Sequence, residues 1–121
     1  MSTVYSGQLS LGNPSNFSGT FLFDTGSPFI WVGLSNCSTC SNQLNFPLYN
    51  ITNSSSSTIF DQSCYYEYWW RARVSGDIVL DALWFNQQPL EMTFMGVYQA
   101  SGVAYLNISG IIGLGPTRGN G

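Results

Sequence analysis

The tetrapeptide Asp24-Thr25-Gly26-Ser27 directly follows the apolar-rich run Thr20-Phe21-Leu22-Phe23. A carboxylate that leaves a buried strand into a glycine turn is costly. Burial disfavours its charge unless backbone N–H and hydroxyl groups hydrogen-bond to it. Gly26 permits close backbone approach, and Thr25 and Ser27 bring hydroxyls that can orient the carboxylate or a partner. Two readings are open from these residues alone: a carboxylate poised for proton transfer, or a capped turn with an incidental aspartate. The other reactive side chains are Cys37, Cys40 and Cys64. Cys37-Ser38-Thr39-Cys40 has the spacing of a redox or zinc pair. Zinc would lack its remaining ligands, since the chain has no histidine and no second cysteine pair. A thioredoxin-like role wants a strand running into a helix, and this pair sits in a polar Ser/Asn/Thr loop. The expectation is a structural disulfide, with one thiol left over or paired outside this chain.

Composition narrows the chemistry further. The absence of histidine removes Ser-His-Asp and Cys-His catalysis. Three Arg against six Asp and Glu give a net charge of −3, the opposite of a phosphate-binding surface, so no nucleic acid is expected as a partner. No metal and no cofactor are expected either. Charged residues are only 7% of the chain, so Ser, Thr, Asn and Gln must carry solubility. Asn-x-Ser/Thr sequons without proline at x occur at Asn16, Asn36, Asn50, Asn53 and Asn107. They are glycosylation acceptors only if the chain enters a eukaryotic secretory route. No stretch approaches the ~20 apolar residues of a membrane span, and no signal peptide is expected within the residues ahead of the first strand-like segment.

The elements that must position Asp24 read as strands. The 121 residues suit one domain, and 44% apolar with 16% aromatic residues is ample for a core. Residues 4–11 alternate apolar and polar before the turn Gly12-Asn13-Pro14, and residues 17–23 alternate again. Residues 29–32 form a short apolar strand, and residues 33–58 a polar loop region interrupted by 44–51. Residues 64–74 are rich in Tyr and Trp, and Gly76 reads as a break before a strand at 77–85. Asn86-Gln87-Gln88-Pro89 reads as a hairpin turn into a strand at 90–98, with short strands at 105–108 and 110–114. Many short strands punctuated by Gly, Pro and Asn mean an all-β barrel or sandwich. Asp61, Asp77, Asp81, Glu67 and Glu91 lack a Thr-Gly turn and read as surface or turn groups.

Four motifs in order carry a family resemblance. Asp24-Thr25-Gly26-Ser27-Pro28-Phe29-Ile30-Trp31-Val32 resembles the active-site segment of the pepsin-like aspartic peptidases. Tyr5-Ser6-Gly7-Gln8-Leu9-Ser10-Leu11-Gly12-Asn13-Pro14 is similar to that family's opening strand. Ser56-Ser57-Thr58 matches a Ser-Ser-Thr that follows its cysteine loop. Gly110-Ile111-Ile112-Gly113-Leu114-Gly115 is similar to the segment beside its active loop, with Ser109 where an aspartate is usual. The family's flap tyrosine falls on Tyr68, or on Trp69 if the register shifts by one. Trp69 and Arg71 stand where plant and protist relatives carry glycines.

The resemblance implies a pepsin-like acid protease β-barrel, residues 1–121 forming the N-terminal lobe of a normally two-lobed enzyme and the chain stopping short of its second half. It implies an aspartic endopeptidase acting on polypeptide substrates in a secreted, lysosomal or vacuolar setting. Asp24 would be the catalytic aspartate, supported by Thr25, Gly26, Ser27 and Trp31, with Tyr68 and Trp69 covering the substrate. Two such aspartates share one proton, because like charges so close cannot both ionise. One activates water while the other donates to the scissile carbonyl. This chain offers one, so the second would come from a missing lobe or a second copy, and an isolated monomer is expected to be inactive. The alternative is a non-catalytic pepsin-like binding or inhibitor protein, motivated by the altered flap.

Overall fold

The computed structural model describes residues 5–14, 17–26, 28–40, 47–68, 72–85, 87–102 and 108–115. Seven strands carry the fold: β1 (Tyr5–Leu11), β2 (Phe17–Asp24), β3 (Ile30–Gly33), β4 (Thr58–Glu67), β5 (Arg73–Phe85), β6 (Gln88–Ser101) and β7 (Gly110–Gly113). One 3-10 turn, Ile51–Asn53, interrupts them. The all-β expectation holds. The sheet order is β1-β2-β7-β3-β6-β5-β4, and β1 also pairs with β5 through Ser10–Trp84 and Leu11–Leu83. That extra pairing closes six strands into a barrel and leaves β4 outside it as an edge.

The alternation in residues 4–11 and 17–23 becomes the β1–β2 hairpin, in register from Tyr5–Phe23 to Leu11–Phe17. At its turn, Gly12 has φ +91°, and a Cβ there would stand 2.6 Å from the Tyr49 hydroxyl, so only glycine fits. β3 and β7 are short apolar runs because both of their faces are buried. Trp31 and Ile111 point into one core cluster with Tyr68, Val74, Met95 and Val97. Val32 and Ile112 point into a second cluster with Leu11, Phe21, Val79, Leu83 and Phe94.

Two expectations need correction. Gly76 does not break a strand: β5 runs through it, with a register shift against β6 between Ser75 and Gly76. A Cβ at Gly76 would lie 1.9 Å from the Gly96 carbonyl oxygen, so the glycine is there to let β6 approach. Asp81 is not a surface group but fully buried. Its carboxylate accepts hydrogen bonds from the Tyr49 hydroxyl, from Ser54 Oγ at 3.1 Å, from Ser56 Oγ at 2.6 Å and from the Ala82 N–H at 2.8 Å. Four donors replace the water that burial removes. They pin the segment before β4 to the middle of β5. Glu67 and Glu91 are exposed, as expected. The strand expected at 105–108 lies almost wholly outside the described residues, and Ile108 itself is not in a strand.

Candidate active site

Asp24 is the last residue of β2, where that strand runs parallel to β7 opposite Gly113. On the other side of β7 lies β3, antiparallel to it through Ile30–Ile112, Trp31–Ile111 and Val32–Gly110. The chain therefore leaves β2 at Asp24, passes over the end of β7 and returns as β3. Two backbone bonds hold that crossing: Leu114 N–H donates to the Asp24 carbonyl at 2.8 Å, and Gly113 N–H to the Phe29 carbonyl at 2.9 Å. β7 must lie close to β3 for this. A Cβ at Gly110 would stand 2.1 Å from the Trp31 carbonyl oxygen.

The Asp24 side chain is half-buried, and its Oδ1 accepts the Gly26 N–H at 2.9 Å. A Cβ at Gly26 would come within 3.3 Å of that same oxygen. Thr25 and Gly26 are exposed at the turn. A carboxylate held by a backbone donor yet open to solvent is able to take up and release a proton at a fixed position. Ser27 lies outside the described residues.

The hairpin of β4 and β5 carries Tyr68, the second expected site residue. Its two ends are closed by Tyr68 N–H donating to the Ala72 carbonyl at 2.8 Å. Tyr68 is buried, and its hydroxyl accepts the Trp31 indole N–H at 3.0 Å. Tyr66 stacks on Phe29 with ring centroids 5.0 Å apart and nearly parallel planes, and meets Tyr68 edge-on at 4.6 Å. Both tyrosines thus rest on the segment that leads away from Asp24. Tyr68, Trp31, Asp24, Thr25 and Gly26 belong to one connected region. Trp69 lies outside the described residues.

Phe29 and Tyr66 were not singled out from the sequence as site residues. The signal was present in Cys64-Tyr65-Tyr66-Glu67-Tyr68, whose alternation sends 64, 66 and 68 inward and leaves 65 and 67 exposed. Cys37 and Cys40 form the expected disulfide, and Cys64 is a free thiol packed against the core. Burial, and then the neighbouring Asp77 carboxylate, push the Cys64 thiol above its ordinary pKa, so it is a poor nucleophile. Among the described residues no cluster of His, Cys, Asp and Glu could hold a metal ion, and no helix is long and apolar enough to cross a membrane.

No curated protein matches the chain. The family model for eukaryotic aspartyl protease matches residues 4–120, which takes in every strand, the Asp24 turn and the β4–β5 hairpin. The barrel is accordingly an all-β, pepsin-like one, and the chain belongs to the eukaryotic aspartyl protease family.

Proposed function

We propose that residues 1–121 form the N-terminal lobe of an acid endopeptidase, with Asp24 as one half of its catalytic dyad. The observation that carries this reading is the Asp24 carboxylate at the β2–β7–β3 crossing, held by the Gly26 N–H, on a segment that runs on to Trp31 and through it to the β4–β5 hairpin. A second aspartate, from a C-terminal lobe or from a second copy of this chain, shares a proton with it. The charged partner takes a proton from water as that water attacks the peptide carbonyl, and the neutral partner donates to the carbonyl oxygen. On this reading Thr25, exposed beside Asp24, meets the opposite active loop, and Ser27 hydrogen-bonds the outer carboxylate oxygen. Tyr68 closes over a polypeptide substrate, with Trp69 beside it, and helps exclude water.

The Cys37–Cys40 disulfide supports an oxidising, secretory destination, whether secreted or lysosomal/vacuolar. The second reading, a binding or inhibitor protein, rests on Trp69 and Arg71 standing at sequence positions where relatives carry glycines.

Hydrolysis of a denatured protein at acidic pH, measured against enzyme concentration, tests the proposal. A longer chain that carries a second Asp-Thr-Gly or Asp-Ser-Gly turn should show activity proportional to its concentration. Residues 1–121 alone should be inactive, or show activity that rises with the square of concentration as copies pair. Turnover by a monomer of residues 1–121 overturns the shared-dyad mechanism, and peptide binding without turnover by the longer chain favours the second reading.

A further inference from the structure

The pole opposite Asp24 holds a feature that hydrolysis does not use. β2 runs from Phe17 to Asp24, and at its Phe17 end lies a cavity of about 200 Å3. Leu11, Pro14, Phe17 and Leu48 give it an apolar floor, and Asn50, Asn53 and Ser54 line the rest. Tyr49, which also lines the cavity, packs against the Phe17 ring with centroids 5.1 Å apart. The volume falls below the ~300–1,000 Å3 of pockets that take drug-sized ligands, and suits one small ring.

Two of the five sequons, Asn50-Ile51-Thr52 and Asn53-Ser54-Ser55, sit at this rim, and their asparagines are exposed. They differ in geometry. The Asn50 carboxamide oxygen accepts from Thr52 Oγ1 at 2.6 Å and from Thr52 N–H at 3.3 Å. Its Nδ2 has no partner among the described residues. In the other sequon the hydroxyl faces away from its asparagine, since Ser55 Oγ donates to the Asn13 carbonyl at 3.0 Å. Asn36 is followed by Cys37, which is locked into its disulfide, and the hydroxyl of the Asn107 sequon belongs to Ser109, which is fully buried. Asn16 lies outside the described residues.

We infer that Asn50 is an N-glycosylation site whose first sugar seats in this cavity and covers its apolar floor. The inference takes from the proposed function only the secretory route. The co-reactant is an oligosaccharide carried on a lipid pyrophosphate. Asn50 Nδ2 forms a bond to the sugar's anomeric carbon while the bond from that carbon to the pyrophosphate oxygen breaks. The pyrophosphate leaves with the electron pair, and Nδ2 gives up one proton. The sugar's apolar face then covers Leu48 and Phe17, and its polar edge meets the Asn53 carboxamide. Placed at the far end of β2, the glycan leaves the Asp24 turn uncovered and adds hydration to a surface with few charges.

The test uses the complete protein secreted from a eukaryotic host that leaves high-mannose glycans. Glycopeptide mass spectrometry should find Asn50 occupied. Trimming to a single N-acetylglucosamine should leave the melting temperature unchanged, whereas complete removal should lower it by a few degrees. Asn50→Gln, which avoids the charge that enzymatic removal leaves behind, should melt with the stripped form. Hydrolysis of peptide should be the same in all forms, so failure here is separable from failure of the peptidase reading. An unoccupied Asn50 in the secreted protein, or trimmed and stripped forms that melt together, overturns the inference.

Discussion

The Trp31 indole donates a hydrogen bond of 3.0 Å to the Tyr68 hydroxyl, joining the strand that follows Asp24 to the turn end of the β4–β5 hairpin. Both residues are buried, so neither partner has water to fall back on. The bond sets where the hairpin stands relative to the Asp24 turn.

Tyr68→Phe keeps the ring and its edge contact with Tyr66 but leaves the Trp31 N–H without its acceptor. An unsatisfied buried donor costs about 1–3 kcal/mol. Denaturant unfolding should show a loss of that size, with an unchanged dependence on denaturant. In the active enzyme kcat/KM should fall as well, because the hairpin is no longer fixed.

Asp81→Asn should cost about 2–3 kcal/mol, since an amide NH2 would then face hydroxyl donors in a site with no exposure. Thermal unfolding checks this. The loss should exceed that of Ser54→Ala, which removes one of the four donors.

Asp81 also shows how far the sequence could be read. The β1–β2 hairpin, the Asp24 turn and the disulfide were legible because alternation, a short motif and close spacing are local signals. Asp81 was misread because its burial depends on Tyr49, Ser54 and Ser56, which belong to another segment. A signal did exist: Val79, Asp81 and Leu83 share one face of β5, and both neighbours are core residues. Gly76 was misread as a break because nothing near it in sequence announces the Gly96 carbonyl. The place of β7 beside the Asp24 loop came only from the family resemblance and not from local pattern, since it joins the far end of the chain to Asp24. The Trp31–Tyr68 bond is likewise a tertiary contact, although both residues were singled out.

Stability should fall in alkali through Tyr49. Burial, and then the hydrogen bond to Asp81, raise its phenol well above the ordinary tyrosine value. The folded state therefore favours the neutral phenol. Its contribution is complete below about pH 10, where an unfolded tyrosine begins to ionise, and is lost as pH rises further, by at most about 1.4 kcal/mol per pH unit. Unfolding free energies measured on either side of pH 10 should slope downward for the wild type. They should slope less for Tyr49→Phe, in which the raised Cys64 thiol still contributes with the same sign.

The most direct test of Asp24 as half of a catalytic dyad is the acid peptidase activity of Asp24→Asn in the enzyme with both aspartates present. The substitution keeps the acceptor for the Gly26 N–H and removes the ionisable group, so the fold and its melting temperature should be retained. Activity should fall by at least about 10^3-fold. A folded Asp24→Asn enzyme that hydrolyses peptide at the wild-type rate would contradict the assignment.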